Sequence, residues 1–476
     1  MANRLRLLDE DLLRDWVFAR SLTSRQVRGT MLEEFSMVSY PKCLKVVTLM
    51  IGIVLVFQSR SFAEPAIDLD QARQYFEEAR TICESDSGHL WGRSLCVPMM
   101  FVDKQTGSFV ANQNNLDKTL ESSGGLFVGK LPTEIGAANT AIEWGGKRWT
   151  MVMWPLPANK YSRADLMLHE SFHGIEPALG LDAAVTANAH LDTHDGRLWL
   201  QLEWLALREA LRASGEERQM AIQDALLFRQ YRRQLFPLAT KEECQMEMHE
   251  GLAQYTGHAL CGLPSDQIAR QLGVQLDAAQ NEESLVSSFA YWSGSVYGLL
   301  LDTYRADWRM GLTSASDFGR LLQKASGISA LPVTSEDVEQ RLKAYNGASV
   351  RASEDEREIS RRQQLEKYRS LLVDGPTLLI PLQQMQFTYN PSNLCPLDTL
   401  GTVYPTMRLT DLWGTLDVGN GALLARNMMK VILSAPPDTS VRPVVGDGWV
   451  LQLKPGWMFA PGERKGDLVL LHGGRE

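Results

Sequence analysis

The chain has 476 residues and a formal net charge of −9, with 44% hydrophobic and 22% charged residues. A chain of this length and apolar content can fill at least two hydrophobic cores. The acidic balance and the lack of a basic stripe exclude a nucleic-acid-binding protein, so we expect no nucleic-acid partner.

The N-terminal part is dominated by an apolar run of 12 residues, 46–57. Lys42 and Lys45 precede this run, and Ser61-Phe62-Ala63 follow it with the small residues that a signal peptidase reads. The run is too short to span a bilayer comfortably. We therefore assign residues 1–63 to an N-terminal extension and signal peptide, and we expect an exported protein, periplasmic or extracellular. The alternative is an uncleaved segment that anchors the chain in the membrane.

Residues 64–160 are predicted to be a mixed α/β region. Residues 67–85 show the apolar spacing of a helix. Short β-like runs follow, and glycine-containing turns separate several of them. The predicted strands are 95–103, 125–129, 141–144 and 148–154. We expect a small sheet directly ahead of the next helical region.

Five cysteines remain once residues 1–63 are removed. Cys83 and Cys96 are close in sequence, and so are Cys244 and Cys261. In an oxidising compartment each of these two pairs is a candidate disulfide, and buried free thiols are the alternative.

The run His169-Glu170-Ser171-Phe172-His173 is an HExxH motif. Two histidines four residues apart lie on one face of a helix and can bind the same divalent metal ion. The glutamate between them can take a proton from a water molecule at that metal. Leu168, Phe172 and Ile175 give the helix a second, apolar face that can pack on a core. The motif therefore predicts a hydrolytic metal site with Glu170 as the general base.

A second histidine–glutamate pair, His249-Glu250, follows within a predicted helical metal-binding subdomain over residues 161–350. Two predicted helices, 195–214 and 215–235, fill the interval before it. Small side chains beside Glu250 would let its helix approach the motif helix closely. These small residues are Gly251 and Ala253. Glu243, Glu247 and His249 are the alternatives to Glu250 as a third metal ligand.

The HExxH run and the segment EGLAQY that begins at Glu250 together resemble the gluzincin metallopeptidases, over about residues 170–300. The resemblance implies that His169, His173 and Glu250 bind Zn²⁺ and leave a fourth position for water. Two features depart from the family pattern. The interval of 77 positions between the second histidine and Glu250 is long, and Gln254 stands where many members have an acidic residue.

The resemblance also implies a tyrosine or histidine that stabilises the oxyanion. Tyr291 and Tyr297 lie in a predicted helix over 283–304, and we select Tyr297 because Gly298 and an apolar stretch follow it. A core tyrosine with a satisfied hydroxyl is the alternative. In these enzymes the strand nearest the cleft pairs with an extended peptide. We expect residues 150–154 to be that strand, with an ordinary buried strand as the alternative.

The composition changes in the C-terminal part. Residues 351–375 are dense in alternating acidic and basic side chains, which predicts a solvated helix or a linker. In residues 376–476, short apolar runs are separated by Gly, Pro, Asn and Asp. The predicted strands there are 377–382, 402–409, 427–434 and 449–453. This pattern predicts a small β-rich domain.

These elements predict an α+β fold with a zincin-like metallopeptidase core and a C-terminal β-rich domain. The core would consist of a small mixed sheet and the helical subdomain. The predicted function is an exported zinc-dependent metallopeptidase that hydrolyses peptide bonds in a peptide or protein substrate. The alternatives are a metal-dependent hydrolase of another amide or ester, and a non-catalytic exported binding or structural protein on a zincin scaffold. A degenerate copy would usually lose the glutamate or a histidine of the motif, and this chain has kept them.

Overall fold

The computed structural model describes residues 67–473, except 133–134, 182–185, 330–332, 390–392 and 398. The predicted signal segment and the predicted cleavage after Ala63 lie outside these residues. In this described part of the chain, no helix combines the length and the apolar character needed to cross a membrane. Helices and strands occupy mostly separate regions, which makes the fold α+β.

A mixed sheet follows the first described helix, α1 (Leu69–Asp86). Its six described strands are β1 (Met99–Asp103), β2 (Ser108–Ala111), β3 (Glu121–Ser123), β4 (Leu126–Lys130), β5 (Thr140–Trp144) and β6 (Lys147–Trp154). Their order across the sheet is β3-β4-β2-β1-β6-β5. β1 and β6 run parallel, and the other neighbours are antiparallel. The small mixed sheet predicted ahead of the motif is therefore present.

β6 pairs with β1 over residues 150–154, and on its other side β5 covers the strand as far as Met151. Beyond that point the Asn139 side chain accepts from the backbone N–H of Met153 at 2.8 Å. The prediction that residues 150–154 form the strand that pairs with the substrate is therefore wrong. Met151 lies opposite residues of both β1 and β5. The reason is a two-residue hairpin at Gly145 and Gly146, whose φ angles of 54° and 74° fold β5 back along β6. β5 is the outer strand of the described sheet on this side, and both β5 and β6 contact the motif helix.

A helical region follows the sheet. Its α-helices are α2 (Lys160–Ile175), α3 (His194–Arg212), α4 (Gly215–Leu235), α5 (Ala239–Met246), α6 (Leu252–Leu260), α7 (Ser265–Ala279), α8 (Phe289–Tyr304), α9 (Phe318–Ser326) and α10 (Ser335–Arg341). A π-helical turn, Glu247–Gly251, joins α5 to α6. α3 and α4 pack along each other and fill the interval between the motif and Glu250, as predicted.

The sheet and the helical region share one hydrophobic core. Phe76 of α1, Phe101 of β1, Phe172 of α2, Trp204 of α3 and Tyr255 of α6 all belong to it and are at most 7% exposed. A smaller cluster covers the other face of the sheet. The predicted boundary near residue 160 thus divides two parts of one core, and this shared core fixes the motif helix against the sheet.

The C-terminal part begins with a long charged helix, α11 (Gly347–Arg369), where a solvated helix or linker was predicted. Two sheets follow it. Their described strands are β7 (Thr377–Pro381), β8 (Gln386–Tyr389), β9 (Cys395–Leu397), β10 (Gly401–Tyr404), β11 (Met407–Asp411), β12 (Gly414–Val418), β13 (Ala422–Ala425), β14 (Lys430–Ser434), β15 (Val444–Gly446), β16 (Trp449–Leu453), β17 (Trp457–Pro461) and β18 (Leu468–His472). The first sheet has the order β17-β18-β7-β14-β13-β10-β9, and the second has β15-β16-β12-β11-β8. Fully buried residues of both sheets, such as Leu378 and Leu409, share a second core.

One of the two candidate disulfides is present. Cys83 and Cys96 are bonded, as predicted. Cys244 and Cys261 are free thiols within the described chain, so the second candidate is wrong. They lie near opposite ends of the helical run formed by α5, the π-helical turn and α6. Seventeen residues of helix span about 25 Å, whereas a disulfide requires Cα atoms less than about 7 Å apart.

Candidate metal centre

The motif helix α2 is fixed at both ends. Asn159 caps its N-terminus, where the side-chain oxygen accepts from two backbone N–H groups. Near its C-terminus, Arg148 of β6 donates to the carbonyl oxygen of His173 at 3.0 and 3.1 Å. Thr150 Oγ1, also of β6, donates to the carbonyl oxygen of Glu170 at 3.2 Å. The sheet therefore holds the second half of the helix, which carries the motif.

The helical spacing brings the two motif imidazoles together in the protein interior. His169 and His173 are 2% and 6% exposed. Their Nε2 atoms are 3.3 Å apart. Phe172 points into the core on the other face of the helix and packs against Trp91, with ring centroids 5.1 Å apart. The predicted division of α2 into a ligand face and a core face is thus realised.

The π-helical turn brings Glu250 to both imidazoles. Its Oε2 atom lies 3.4 Å from Nε2 of His169 and 3.6 Å from Nε2 of His173. Both distances fall within the 3–4 Å or so that a shared zinc ion would require. The carboxylates of Glu243 and Glu247 lie elsewhere, bound by arginine side chains. Of Glu243, Glu247 and Glu250, the structure brings only Glu250 to the motif.

The three nitrogen and oxygen atoms have the spacing of zinc ligands. Zinc bonds of about 2.0–2.2 Å in a tetrahedron place neighbouring ligand atoms about 3.3–3.6 Å apart. The three measured separations are 3.3, 3.4 and 3.6 Å. Oε2 of Glu250 is also buried and has no hydrogen-bond partner among the described residues. A buried carboxylate oxygen without a donor is costly, and a metal ion held by His169, His173 and Glu250 would remove that cost.

Carboxylates determine the electrostatics around the imidazoles. Burial alone would raise the pKa of the Glu250 carboxyl, but the two imidazoles outweigh burial and hold that pKa well below its ordinary value. Burial also disfavours the charged form of His173, yet Glu176 and Glu250 raise its pKa to about 10. The space between these groups therefore favours positive charge, which a divalent cation supplies when the imidazoles bind as neutral ligands.

Glu170 lies beside this space, but its carboxylate is farther from the imidazole nitrogens than that of Glu250. One of its carboxylate oxygens is 3.9 Å from Nε2 of His169. This distance is too long for a hydrogen bond and leaves the carboxylate close enough to act on a water molecule at the site. The residue is 4% exposed. Its position fits the general base that the motif predicts.

Two glycines set the distances between the helices, and one of them differs from the prediction. Gly251 was expected to face α2, but it faces α8, where a Cβ atom on Gly294 would come within 2.2 Å of its Cα atom. Gly257 makes the close contact with α2, since a Cβ atom there would lie 2.3 Å from Asp165 Oδ1. Gln254 donates to both carboxylate oxygens of Asp165 at 2.9 and 3.1 Å. The π-helical turn with Glu250 and the helix α6 that follows it, together called the third-ligand helix, therefore pack between α2 and α8.

Tyr297 does not lie at the metal centre, so its predicted catalytic role is wrong. Its side chain is fully buried, and its hydroxyl donates to Glu203 at 2.7 Å. Tyr291 instead stacks on the ring of His169, with centroids 5.6 Å apart and an angle of 20° between the planes. Six residues along a helix correspond to a rotation of about 240° beyond a full turn, so the two tyrosines of α8 face different sides.

Two residues of the centre were missed as functional partners. Glu176 Oε2 lies 3.1 Å from His173 Nδ1, and both of its oxygens contact His249 Nδ1, at 2.7 and 2.9 Å. The sequence signal for the first contact was the spacing of three residues between His173 and Glu176. His249 was considered only as an alternative metal ligand. Its ring lies 4.5 Å from that of His173, and its Nε2 is 3.7 Å from Oε1 of Glu250.

A buried network of charges holds the π-helical turn through Glu247. It consists of Arg229, Arg232, Arg233, Glu203, Glu243, Glu247 and Asp317. Arg229 binds both oxygens of Glu247, with one N–O distance of 2.8 Å. These ion pairs offset part of the cost of burying the charges. They also hold Glu243 and Glu247 away from the imidazoles.

Comparison of the chain with protein-family models, with characterised proteins and with solved structures found no match. Function is therefore inferred from the residues of this centre.

Proposed function

We propose that this protein is a zinc-dependent metallopeptidase of the gluzincin type. The observation that carries the proposal is the triangle formed by His169 Nε2, His173 Nε2 and Glu250 Oε2, whose sides measure 3.3, 3.4 and 3.6 Å. Two imidazoles and one carboxylate are a ligand set typical of catalytic zinc, which leaves one coordination position open. The same Glu250 oxygen is buried and makes no hydrogen bond of ordinary geometry among the described residues, which fits a cation at this point.

Each residue of the centre has a task in peptide hydrolysis. Zinc, when bound, would polarise water and the substrate carbonyl. Glu170 takes a proton from the attacking water and later passes it to the leaving amine. Tyr291 and His249 border the ligand set, next to His169 and Glu250, and are the side chains available to stabilise the developing oxyanion. His249 can do so in the form that carries a proton on each ring nitrogen, because its Nδ1–H is donated to Glu176. Both side chains replace Tyr297 in that proposed role.

The outer strand β5 is proposed to bind the substrate backbone. Because Trp144 and Lys147 flank a two-residue hairpin, alternate residues of β5 direct their N–H and C=O groups towards β6. The remaining residues, Ala141 and Glu143, direct theirs away from the sheet. An extended peptide added at that edge would cross in front of α2, which β5 contacts.

The proposed setting is an exported enzyme with a zincin-like core. The mixed sheet, the motif helix and the third-ligand helix share one hydrophobic core, which fits such a core over residues 67–345. The Cys83–Cys96 disulfide fits an oxidising compartment. The C-terminal sheets form a second core, and we assign no activity to them.

Metal analysis followed by a cleavage assay tests the proposal. The purified protein should contain about one zinc ion per chain, and it should cleave members of a peptide mixture. Removal of the metal with a chelator should abolish cleavage, and added Zn²⁺ should restore it. Zinc binding without cleavage of any peptide would favour another metal-dependent hydrolase or a binding protein. Cleavage that persists in the metal-free protein would refute the proposal.

A further inference from the structure

Glu176 contacts two histidines with one carboxylate. The α-helix α2 ends at Ile175, and Pro177 follows in a short 3₁₀ turn that begins at Glu176. The side chain points back to His173 Nδ1, at 3.1 Å, and forward to His249 Nδ1, at 2.7 and 2.9 Å. Glu176 is 3% exposed, so water does not compete strongly for its oxygens.

These contacts fix the tautomer of both rings. An ionised carboxylate only accepts hydrogen bonds, and the oxygens of Glu176 lie within hydrogen-bond distance of both Nδ1 atoms. Each histidine therefore donates from Nδ1. In His173 this leaves Nε2, the atom 3.6 Å from Glu250 Oε2, as the nitrogen available to a metal ion.

In His249 the same arrangement leaves Nε2 as the ring nitrogen that Glu176 does not hold. The side chain of His249 is 22% exposed, whereas those of His169 and His173 are 3% and 8% exposed. Nε2 lies 3.7 Å from Oε1 of Glu250, the oxygen that does not face the two motif imidazoles. A partly exposed ring that is held at Nδ1 is suited to contact a bound substrate through Nε2.

We propose that Glu176 is a positioning residue for two imidazoles at once: it orients His173 as a metal ligand and presents Nε2 of His249 to the substrate. This inference rests on the proposed function. It assigns different tasks to His173 and His249, because only His173 would bind the metal. Loss of the shared carboxylate should impair both tasks, whereas loss of the His249 ring should impair one.

Three variants separate these tasks. Glu176→Gln keeps the size of the side chain and removes its charge. Its zinc affinity should fall by about 10–100-fold, as is typical when the partner of a ligand histidine is lost. Glu176→Asp keeps the charge with a shorter reach and should recover part of that affinity. His249→Asn keeps a donor near the Nδ1 position and removes Nε2. It should bind zinc as the parent does and lose kcat/KM by about tenfold or more.

His194→Asn is the matched control. His194 is also partly exposed, at 26%, and is also held by carboxylates, those of Asp195 and Asp355. It lies outside the metal centre, so both its zinc affinity and its kcat/KM should equal those of the parent. Zinc affinity is measured by competition with a chelator. Turnover is measured on the peptide that the parent cleaves fastest, and circular dichroism verifies the folding of each variant.

The visible spectrum of the Co²⁺-substituted protein is a third readout, independent of turnover. The Glu176 variants should shift the absorption bands, because the ligand field of His173 changes, and His249→Asn should not. Parent-like zinc affinity in Glu176→Gln, or parent-like turnover in His249→Asn, would overturn the inference. If His249→Asn also lost zinc, His249 would be a metal ligand and the division of tasks would be wrong. A parent protein that binds no zinc would refute the proposed function itself, and the inference with it.

Discussion

At the scale of single residues, Glu170 and Glu250 carry the same functional group, and their different surroundings support the different tasks proposed for them. The Oε2 atom of Glu250 lies between two imidazole nitrogens, at 3.4 and 3.6 Å. The nearest measured contact of the Glu170 carboxylate with these imidazoles is 3.9 Å, to His169. The first position suits a metal ligand, and the second suits a base that acts on a water molecule at the metal.

The Glu170→Gln variant tests the proposed base. Glutamine keeps the shape of the side chain but cannot accept a proton at neutral pH. We expect zinc to remain bound, because Glu170 is not one of the three proposed ligands, and kcat to fall by about 10²-fold or more. Metal analysis and steady-state kinetics on the same preparation measure both effects. Turnover equal to that of the parent would refute the mechanism.

The Glu250→Gln variant tests the third ligand. The amide has no charge and binds zinc poorly, so zinc affinity should fall by more than the 10–100-fold or so typical of an outer partner. Glu242→Gln is a better control than a change at Glu247, because Glu242 is half-buried with its ionic partner His190 4.0 Å away, while Glu247 holds a buried arginine. A chelator competition assay compares the variants. Equal losses in both would show that the effect is not specific to Glu250.

The motif was predictable because its geometry is local. Residues 169 and 173 share a face in any α-helix, whatever surrounds it. Tyr297 was selected wrongly because the face of α8 that meets the motif depends on how α8 packs against the π-helical turn and α6. That packing brings the ring of Tyr291 to His169 and the hydroxyl of Tyr297 to Glu203. His249 was missed as a partner because its contact with Glu176 joins residues 73 positions apart.

At the scale of elements, the π-helical turn Glu247–Gly251 separates two glutamates that an α-helix would place on one face. The wider turn rotates Glu250 towards the imidazoles, while Glu247 remains with Arg229. The sequence left the choice between these two glutamates open because nothing in it marked a π-helical turn. The contact of Gly251 with Gly294 holds the turn against α8.

Gly294→Ala tests whether this contact positions the third ligand. An added Cβ atom would lie 2.2 Å from the Cα atom of Gly251, so α8 and the π-helical turn must separate. Overpacking of this kind costs about 1–3 kcal/mol of unfolding free energy. We expect lower thermal stability together with weaker zinc binding, since Glu250 moves with the turn.

Gly273→Ala on α7 is the control for this change. Gly273 is also a buried helical glycine, but its nearest neighbour would be 3.5 Å from the added atom, an ordinary contact. Alanine should stabilise that helix by up to about 1 kcal/mol and leave zinc affinity unchanged. Thermal unfolding and chelator competition measure both variants. Unchanged zinc affinity in Gly294→Ala would mean that the turn does not depend on α8.

At the scale of the whole molecule, the sequence predicted which regions are helical and which are β-rich. It was less successful for the boundaries between these regions and the contacts across them. Alternating short runs identified the C-terminal β-rich part, and apolar spacing identified α3 and α4. The predicted boundary at residue 160 does not separate two structural units, because α2 packs on the sheet and shares its core. Likewise, β6 was taken for the strand that pairs with the substrate because strand order in a sheet is a tertiary property. The buried network of charges escaped prediction for the same reason.

That network makes the stability of the molecule depend on pH in the acid range. Burial alone would raise the pKa of Asp317, but Arg229 and Arg233 lower it to about 2. An unfolded aspartate has a pKa of about 3.9. The stabilisation from this carboxylate is therefore complete above about pH 4 and is lost as the pH falls through about 2. Glu243, whose pKa is also well below its ordinary value, adds to the trend, while burial raises the pKa of Glu247 and opposes it.

We therefore expect the melting temperature to fall between about pH 4 and pH 2, and Asp317→Asn to reduce that dependence. The variant should be less stable than the parent at pH 7, because two buried guanidinium groups lose a partner. The difference between variant and parent should shrink as the pH approaches 2, where Asp317 of the parent is protonated as well.

Asp266→Asn, which alters an exposed ion pair with Arg270, should leave the curve unchanged. Scanning calorimetry at several pH values gives the comparison. A constant difference between Asp317→Asn and the parent from pH 7 to pH 2 would show that this carboxylate does not control the acid response.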